Sequence, residues 1–527
     1  MITYNQEDKI LTRIAKAFEK RLKKGGDYTL LIDEGLSEYT GKIEGGVISA
    51  GSYSELLNTA GRVLRDPSVE GTFTSHKKVS GMYFATHFQN YLDAAPIEEI
   101  EEYVADLAFW GMNSFAVWFD MHHYHNMAEG KKCSDRLYAM LAAARDLGVK
   151  TQIMVLSNEA FADSPKHLRA DWTAGHDGYV YPLNSHYHVE ICPSVEGGIE
   201  KIVEYRKEWL EVFRDINPDI ITIGAYDQGG CSCPKCAPWG SNGYVRTCEA
   251  IIPLLREAWP NVEIICSLWQ FGTFTTTSVE FEGINAVMKA GRLPEVSYFM
   301  SEPMCNRYAV THEMERPIVG FPEISMRGAT PWGGYGANPL PKLLQEVWDR
   351  FGDKLEGGFP YSEGLFEDLN KAIMLRFYRD NQKAIDTVRE YFSYEFGLSG
   401  ELLELAVKTV SDMEETLYRK LDRDAHTVTI EKPEKVFAIE EAMKRLNEAV
   451  SEEVRSSARW QLFYLRGLID AEFIRTGGER NERIFDYFYR LIDCCHLQNA
   501  GSHTKPDVKT DGTWGSESHF ETEANTK

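Results

Sequence analysis

From Val79 to Tyr361 the chain repeats one rhythm: a short apolar run, a polar elbow, then an amphipathic stretch at helical spacing. The apolar runs fall at Met82–Ala85, Ser114–Phe119, Thr151–Leu156, Ile220–Gly224, Glu263–Leu268, Val296–Met300, Ile318–Phe321 and Gly357–Tyr361. They are bounded by turn residues, as strands buried on both faces are. Helical patterns at Pro96–Trp110, Ser134–Leu147, Glu196–Phe213 and Tyr244–Ala258 separate several of them. Eight strands with helices between them predict a closed (β/α)8 barrel, a fold that takes about 250 residues. An open doubly wound sheet is the competing reading. It calls for a Gly-rich phosphate turn after an early strand, and the sequence has none.

The flanks read differently. Residues 1–75 predict an α-β-β-α unit whose second helix, from Ser52 to Arg65, opens with the capping-box pair Ser52 and Glu55. The barrel is expected over 76–368. From 369 to 498 the strands stop and helical patterns follow at Leu369–Phe377, Lys383–Phe396, Glu401–Leu421, Pro433–Val454, Ser456–Thr476 and about Arg480–Leu497. Residues 499–527 are polar and without periodicity, the signature of a disordered tail. The fold class is therefore α/β: a (β/α)8 TIM barrel with an N-terminal α+β domain and a helical C-terminal domain.

Charge excludes one class of partner. Eighty acidic against 57 basic residues give a net charge of −23, and phosphate affinity rests on Lys and Arg. Nucleic acid is not expected. No run of about 18 apolar residues offers a membrane span. The N-terminal segment has the helical spacing of Ile10, Ile14, Phe18 and Leu22 and lacks the compact apolar core of a secretory signal. With ten cysteines this predicts a reducing, cytoplasmic setting.

In a barrel the residues that follow each strand share one face, however far apart they lie in sequence. Here that face collects Thr86, His87 and Asn90; Asp120, His122, His123 and Tyr124; Asn158 and Glu159; Tyr226, Asp227 and Gln228; Trp269 and Gln270; Glu302; Glu323 and Arg327; and Tyr361, Ser362 and Glu363. Six carboxylates among aromatic rings suit a polyhydroxylated ligand, since rings cover sugar C–H faces and carboxylates accept from hydroxyls. Glycosidic hydrolysis needs two carboxyl groups, one to protonate the leaving oxygen and one to act at the anomeric carbon. Asp227, Glu302, Glu323 and Glu363 are the catalytic candidates. Each follows an apolar strand and precedes Gly, Pro or aromatic residues. His87, Asp120, His122, His123, Tyr226, Gln228, Trp269 and Tyr361 are the candidate substrate contacts. Asp120 and Glu159 read equally well as helix caps. The expected partner is a small carbohydrate, with homo-oligomerisation left open and no cofactor required for the chemistry.

Cys231, Cys233 and Cys236 place three thiols in six residues on a Gly-rich loop. That spacing supplies most of a structural zinc site, with Cys192 or Cys248 as a fourth ligand; three thiols without metal are the plain alternative. His122, His123 and His125 lack the i, i+4 spacing of a helical zinc pair.

An α-β-β-α unit ending VISAGSYSELLNTAGRVLR, followed by such a barrel, resembles the glycoside hydrolase superfamily that includes the family 20 β-hexosaminidases and the family 67 and 115 α-glucuronidases. It also includes families first described as domains of unknown function, one of them now endo-β-N-acetylglucosaminidases. The resemblance covers about residues 1–400. YDQGGCSCPKC is similar to the D-x-G-x-C-x-C-x-x-C loop of several branches, and GGFPYSEGLFEDLNK with YFSYEFG to the end of their barrels. It implies hydrolysis of a hexosaminide or uronide. Family 20 enzymes end their fourth strand in Asp-Glu, where this chain has Asp227-Gln228, and their sugar-gripping Arg is missing from SGMYFATHF. The α-glucuronidases carry acids after strands four, six and seven, where Asp227, Glu302 and Glu323 stand. The resemblance thus implies Glu302 and Glu323 as the acid and the base or nucleophile, with Asp227 a third essential carboxylate. A sugar-binding barrel without catalysis and, after it, a zinc-dependent hydrolase are the other two classes the sequence allows.

Overall fold

A computed structural model describes residues 1–501 except 24, 89, 171–188, 226–228, 273–276, 304–306, 326–335, 423–424 and 426. Eight parallel strands close a barrel: β6 (Val79–Tyr83), β7 (Ser114–Trp118), β8 (Lys150–Leu156), β9 (Ile220–Gly224), β10 (Glu263–Ser267), β11 (Val296–Ser301), β12 (Ile318–Gly320) and β13 (Leu355–Gly358). The expected fold class is the observed one. Successive side chains of a strand point to opposite faces. In β7, Ala116 and Trp118 fill the barrel interior, while Phe115 and Val117 meet the surrounding helices. The seam between β13 and β6 depends on one residue. Gly357 pairs with Val79 at φ +116°, and a Cβ there would lie 1.6 Å from the Val79 carbonyl oxygen. Only glycine lets these strands close.

Before the barrel stands a five-stranded sheet of β1 (Ile2–Thr3), β2 (Tyr28–Ile32), β3 (Thr40–Glu44), β4 (Val47–Ala50) and β5 (Gly71–Thr74), in the order β1-β2-β4-β3-β5. Helix Tyr53–Arg65 packs on it, and helix Lys9–Arg21 packs against that helix, with Phe18 edge-on to Tyr28 of β2 at 5.6 Å. The capping box is only half formed. Ser52 accepts from the Glu55 backbone N–H, but the Glu55 carboxylate turns inward to Asn58, Ser75 and Arg379. Its 2.8 Å ion pair with Arg379, both residues 1% exposed, joins this domain to helix Asp368–Asp380.

The C-terminal region is helical, with helices Ala384–Phe396, Gly400–Glu415, Val436–Ala449, Ala458–Thr476 and Glu482–Cys494. A hairpin of β14 (Arg419–Asp422) and β15 (Thr427–Ile430) interrupts it, so Arg419–Leu421 is strand where the sequence pattern predicts helix. Arg459 locks this region to the barrel through Asp106 and Asp368, each at 2.6 Å, while Tyr103 and Tyr391 donate to the same Asp368. Most of the expected tail, 502–527, lies outside the described residues. Residues 499–501 pack instead, with the Gly501 N–H donating to Asp93. Among the described residues no helix is long and apolar enough to cross a membrane.

Candidate active site

Because all eight strands run parallel, their C-terminal ends open on one face. Glu302 follows β11 directly. Glu323 lies three residues beyond β12 and Glu363 five beyond β13. All three are buried, at 3%, 6% and 7% exposure. The two later strands stay in register past their formal ends through a parallel bridge between Glu323 and Tyr361. That bridge brings Glu363 beside Glu323, whose Oε1 accepts from the Glu363 N–H at 3.3 Å. The same oxygen accepts from the Ser325 N–H at 2.8 Å and from the Ser325 hydroxyl. Three donors converging on one oxygen fix how the Glu323 carboxylate is presented. Tyr361 Oη donates to Glu363 at 3.5 Å.

Behind this group stands Glu367, which the sequence reading passed over. It accepts from Asn338 through both the backbone N–H, at 3.0 Å, and Nδ2, at 2.7 Å. Burial pushes its carboxyl up to about 7 against the help of Asn338, and the nearby Glu323 adds to the rise. Asn338 is held in turn by Arg466 of helix Ala458–Thr476, at 2.9 Å. The helical region therefore braces the site from below.

The opposite side of the face is built from β7 and β8. Asp120 takes contacts from two imidazoles, His122 Nδ1 and His123 Nε2, the latter at 3.1 Å. His122 Nδ1 also lies 4.0 Å from Glu159, whose Oε1 accepts from the Met121 N–H at 2.8 Å. Burial works against the charge on His122, yet Asp120 and then Glu159 carry it up to about 9. Glu159 pairs across a bridge with Glu190, a second carboxyl the sequence reading missed. Burial raises Glu159 to about 7, and burial with the Glu159 charge holds Glu190 well above the carboxylate range. Asp120, His122 and His123 also bring ligand atoms within 4.8 Å of one another, a set by type suited to a divalent cation.

Aromatic rings line the space between the two sides. Phe321 and Tyr361 stack at 4.5 Å, Tyr83 lies 5.7 and 5.9 Å from them, and Trp269 meets Phe321 edge-on at 6.0 Å. His87 meets Trp118 edge-on at 4.8 Å. Tyr83 ties the halves together: burial, then the charges of Asp120, Glu363 and Glu159, hold its phenol far above the usual value. Nine sequence-derived candidates thus occupy this face: His87, Asp120, His122, His123, Trp269, Glu302, Glu323, Tyr361 and Glu363. Tyr226, Asp227, Gln228 and Arg327 lie outside the described residues. Near β9 the thiols of Cys192, Cys231, Cys233 and Cys236 gather within 4.8 Å of one another. Cys248 is instead buried against Tyr244 and Cys266.

No protein-family model matches the sequence, and no curated protein does either. Solved structures do match. The family 89 glycoside hydrolase of Clostridium perfringens, in complex with its substrate GlcNAc-alpha-1,4-galactose, superposes with a TM-score of 0.57 at 10% identity, over 93% of this chain and 65% of that one. A family GH115 4-O-methyl-alpha-glucuronidase with specificity for decorated arabinogalactans superposes with a TM-score of 0.61 at 10% identity, over 96% of this chain and 77% of that one. The chain shares their fold. It spans about two thirds of the length of the Clostridium enzyme, with a PUGNAc complex of that enzyme giving the same TM-score of 0.57.

Proposed function

We propose that this chain is a glycoside hydrolase that cleaves a small oligosaccharide or glycoside, a hexosaminide or a uronide, with Glu302 and Glu323 as its reacting carboxyls. The observation that carries the reading is the trio of buried glutamates from three consecutive strands, set on the open face of the barrel beside a wall of aromatic rings. The fold shared with family 89 and family 115 enzymes supports it. One of the two carboxyls protonates the leaving-group oxygen. The other acts at the anomeric carbon, either directly or through a water. Glu363 adds to the charge of the pocket, and Asp227 is the third essential carboxylate that the sequence pattern points to. Phe321, Tyr361 and Trp269 take the apolar face of the sugar ring, and the Asp120–His122–His123 group takes its hydroxyls.

A panel of aryl α- and β-glycosides, assayed with the wild type and with Glu302→Gln and Glu323→Gln, tests this. Hydrolysis by the wild type that falls by about a thousandfold in both variants is the expected result, within the 10²–10⁴ that a positioned acid or base supplies. Near wild-type turnover in both variants overturns the assignment. One sequence feature favours a second reading, a barrel that binds sugar without cleaving it: Gln228 stands where family 20 enzymes carry their acid. Calorimetry separates the two. Tight binding of a sugar that is never processed, across the whole panel, supports the binder.

A further inference from the structure

We propose that Cys192, Cys231, Cys233 and Cys236 hold a structural zinc ion that fastens the segment before helix Gly198–Phe213 to the loop after β9. The spacing of the thiols is the first argument. Cys192 Sγ lies 3.8 Å from Cys233 Sγ and 3.7 Å from Cys236 Sγ. Four sulfurs each about 2.3 Å from a tetrahedral zinc stand about 3.8 Å from one another. A disulfide would bring two of them to about 2.05 Å, and these distances are far from it. Cys231 completes the group, since all four sulfurs lie within 4.8 Å of one another.

The surroundings suit a tetrathiolate. Cys233-Pro234-Lys235-Cys236 folds into a tight turn, with the Cys236 and Ala237 N–H groups donating to the Cys233 carbonyl at 2.9 and 3.0 Å. Such a turn aims two thiolates at one point. The excess negative charge of four thiolates on a divalent ion is met by donors: the Ser194 N–H reaches Cys192 Sγ at 3.4 Å, and the Ser194 hydroxyl lies 2.9 Å from Cys236 Sγ. Arg246 donates to that hydroxyl, bringing a cation to the rim. These partners orient the ligands. The four protein sulfurs close the coordination sphere, so the ion takes no substrate.

Its place gives it a task. Cys192 comes two residues after Glu190, which bridges to Glu159, and the other three cysteines lie in the loop beyond β9, the first of them seven residues past its end at Gly224. The ion therefore joins segments about forty residues apart in sequence, at the edge of the candidate active site. The site stands whether or not the glycosidase reading holds, because metal content is measured without a substrate.

Purify the full chain under reducing conditions, measure its metal, and titrate zinc release with a mercurial reagent and a colorimetric chelator. One zinc per chain, released only when the thiols are blocked, is the expected result. Cobalt substitution should then give the thiolate charge-transfer and d–d absorption of a tetrahedral cobalt centre. Cys192→Ser should weaken metal retention by at least about tenfold, since even an outer partner of a ligand is worth that much. Cys248→Ser should retain the ion. Wild-type protein without stoichiometric zinc, with iron instead, or with a disulfide among these cysteines overturns the proposal. So does equal retention in Cys192→Ser. If Cys192→Ser does not fold, the titration of the wild type decides alone.

Discussion

The two sides of the barrel mouth hold their carboxyls by different means. On the β12–β13 side, Glu323 is fixed by two backbone N–H groups and a serine hydroxyl, none of which titrates near neutral pH. On the β7–β8 side, Asp120 and Glu159 are held by His122, and Glu159 faces a second carboxyl in Glu190. The first arrangement sets the direction of an oxygen with donors that do not themselves titrate near neutral pH. The second shares protons among groups whose charges depend on one another. A reacting carboxyl needs fixed geometry first, so the chemistry is placed on the β11–β13 side and hydroxyl recognition on the other.

The largest effect should separate those sides by kinetics. Glu323→Gln is expected to lower kcat by about a thousandfold with KM little changed, the pattern of an interaction made in the transition state. His122→Gln is expected to raise KM about tenfold and to keep kcat within about tenfold, the pattern of uniform binding. Steady-state rates over a range of substrate concentration give both numbers. The reverse pattern would exchange the roles of the two sides.

The next effect is on stability, through Glu367 behind Glu323. Its carboxyl lies at about 7 in the folded chain against an ordinary 4.5. The folded state therefore binds the proton more tightly than the unfolded one, so its contribution is fully present below about 4.5 and is lost as pH rises through 7. The slope is at most about 1.4 kcal/mol per pH unit. Urea unfolding at pH 5 and pH 8 should show Glu367→Gln losing less stability over that interval than the wild type. Equal losses would mean the carboxyl is not buried as described.

Ser325 gives the smallest effect. Ser325→Ala keeps the backbone donor to Glu323 and removes the hydroxyl, and one hydrogen bond is worth about 1 kcal/mol, or about fivefold in kcat. An unchanged kcat would show that the backbone donors suffice.

The barrel was legible in the sequence because a parallel strand buried on both faces must be apolar throughout, and runs such as IITIG carry that mark unaided. The strand β3, TGKIE, was not legible, because its Lys and Glu alternate with a single buried apolar residue, Ile43. Arg419–Leu421 read as helix because Arg, Lys and Leu favour helices, and only pairing with Thr427–Ile430 makes them a strand. Strand-end carboxylates could be named from position alone. Glu190 could not, because it follows no barrel strand and reaches the face only through its bridge to Glu159. Likewise the spacing of Cys231, Cys233 and Cys236 pointed to a ligand set, while the choice of Cys192 over Cys248 needed three-dimensional proximity. Glu55 carried a capping-box pattern, but a buried arginine was the stronger partner.

The division of the barrel mouth is tested most directly by a crystal structure of the chain with an iminosugar inhibitor drawn from whichever glycoside it hydrolyses. The sugar ring is expected against Phe321, Tyr361 and Trp269, with one oxygen of Glu302 or Glu323 within about 3.5 Å of the anomeric position and the other carboxyl within reach of the glycosidic oxygen. A ring seated on Asp120, His122 and Glu159, with both Glu302 and Glu323 out of hydrogen-bond range, would contradict it.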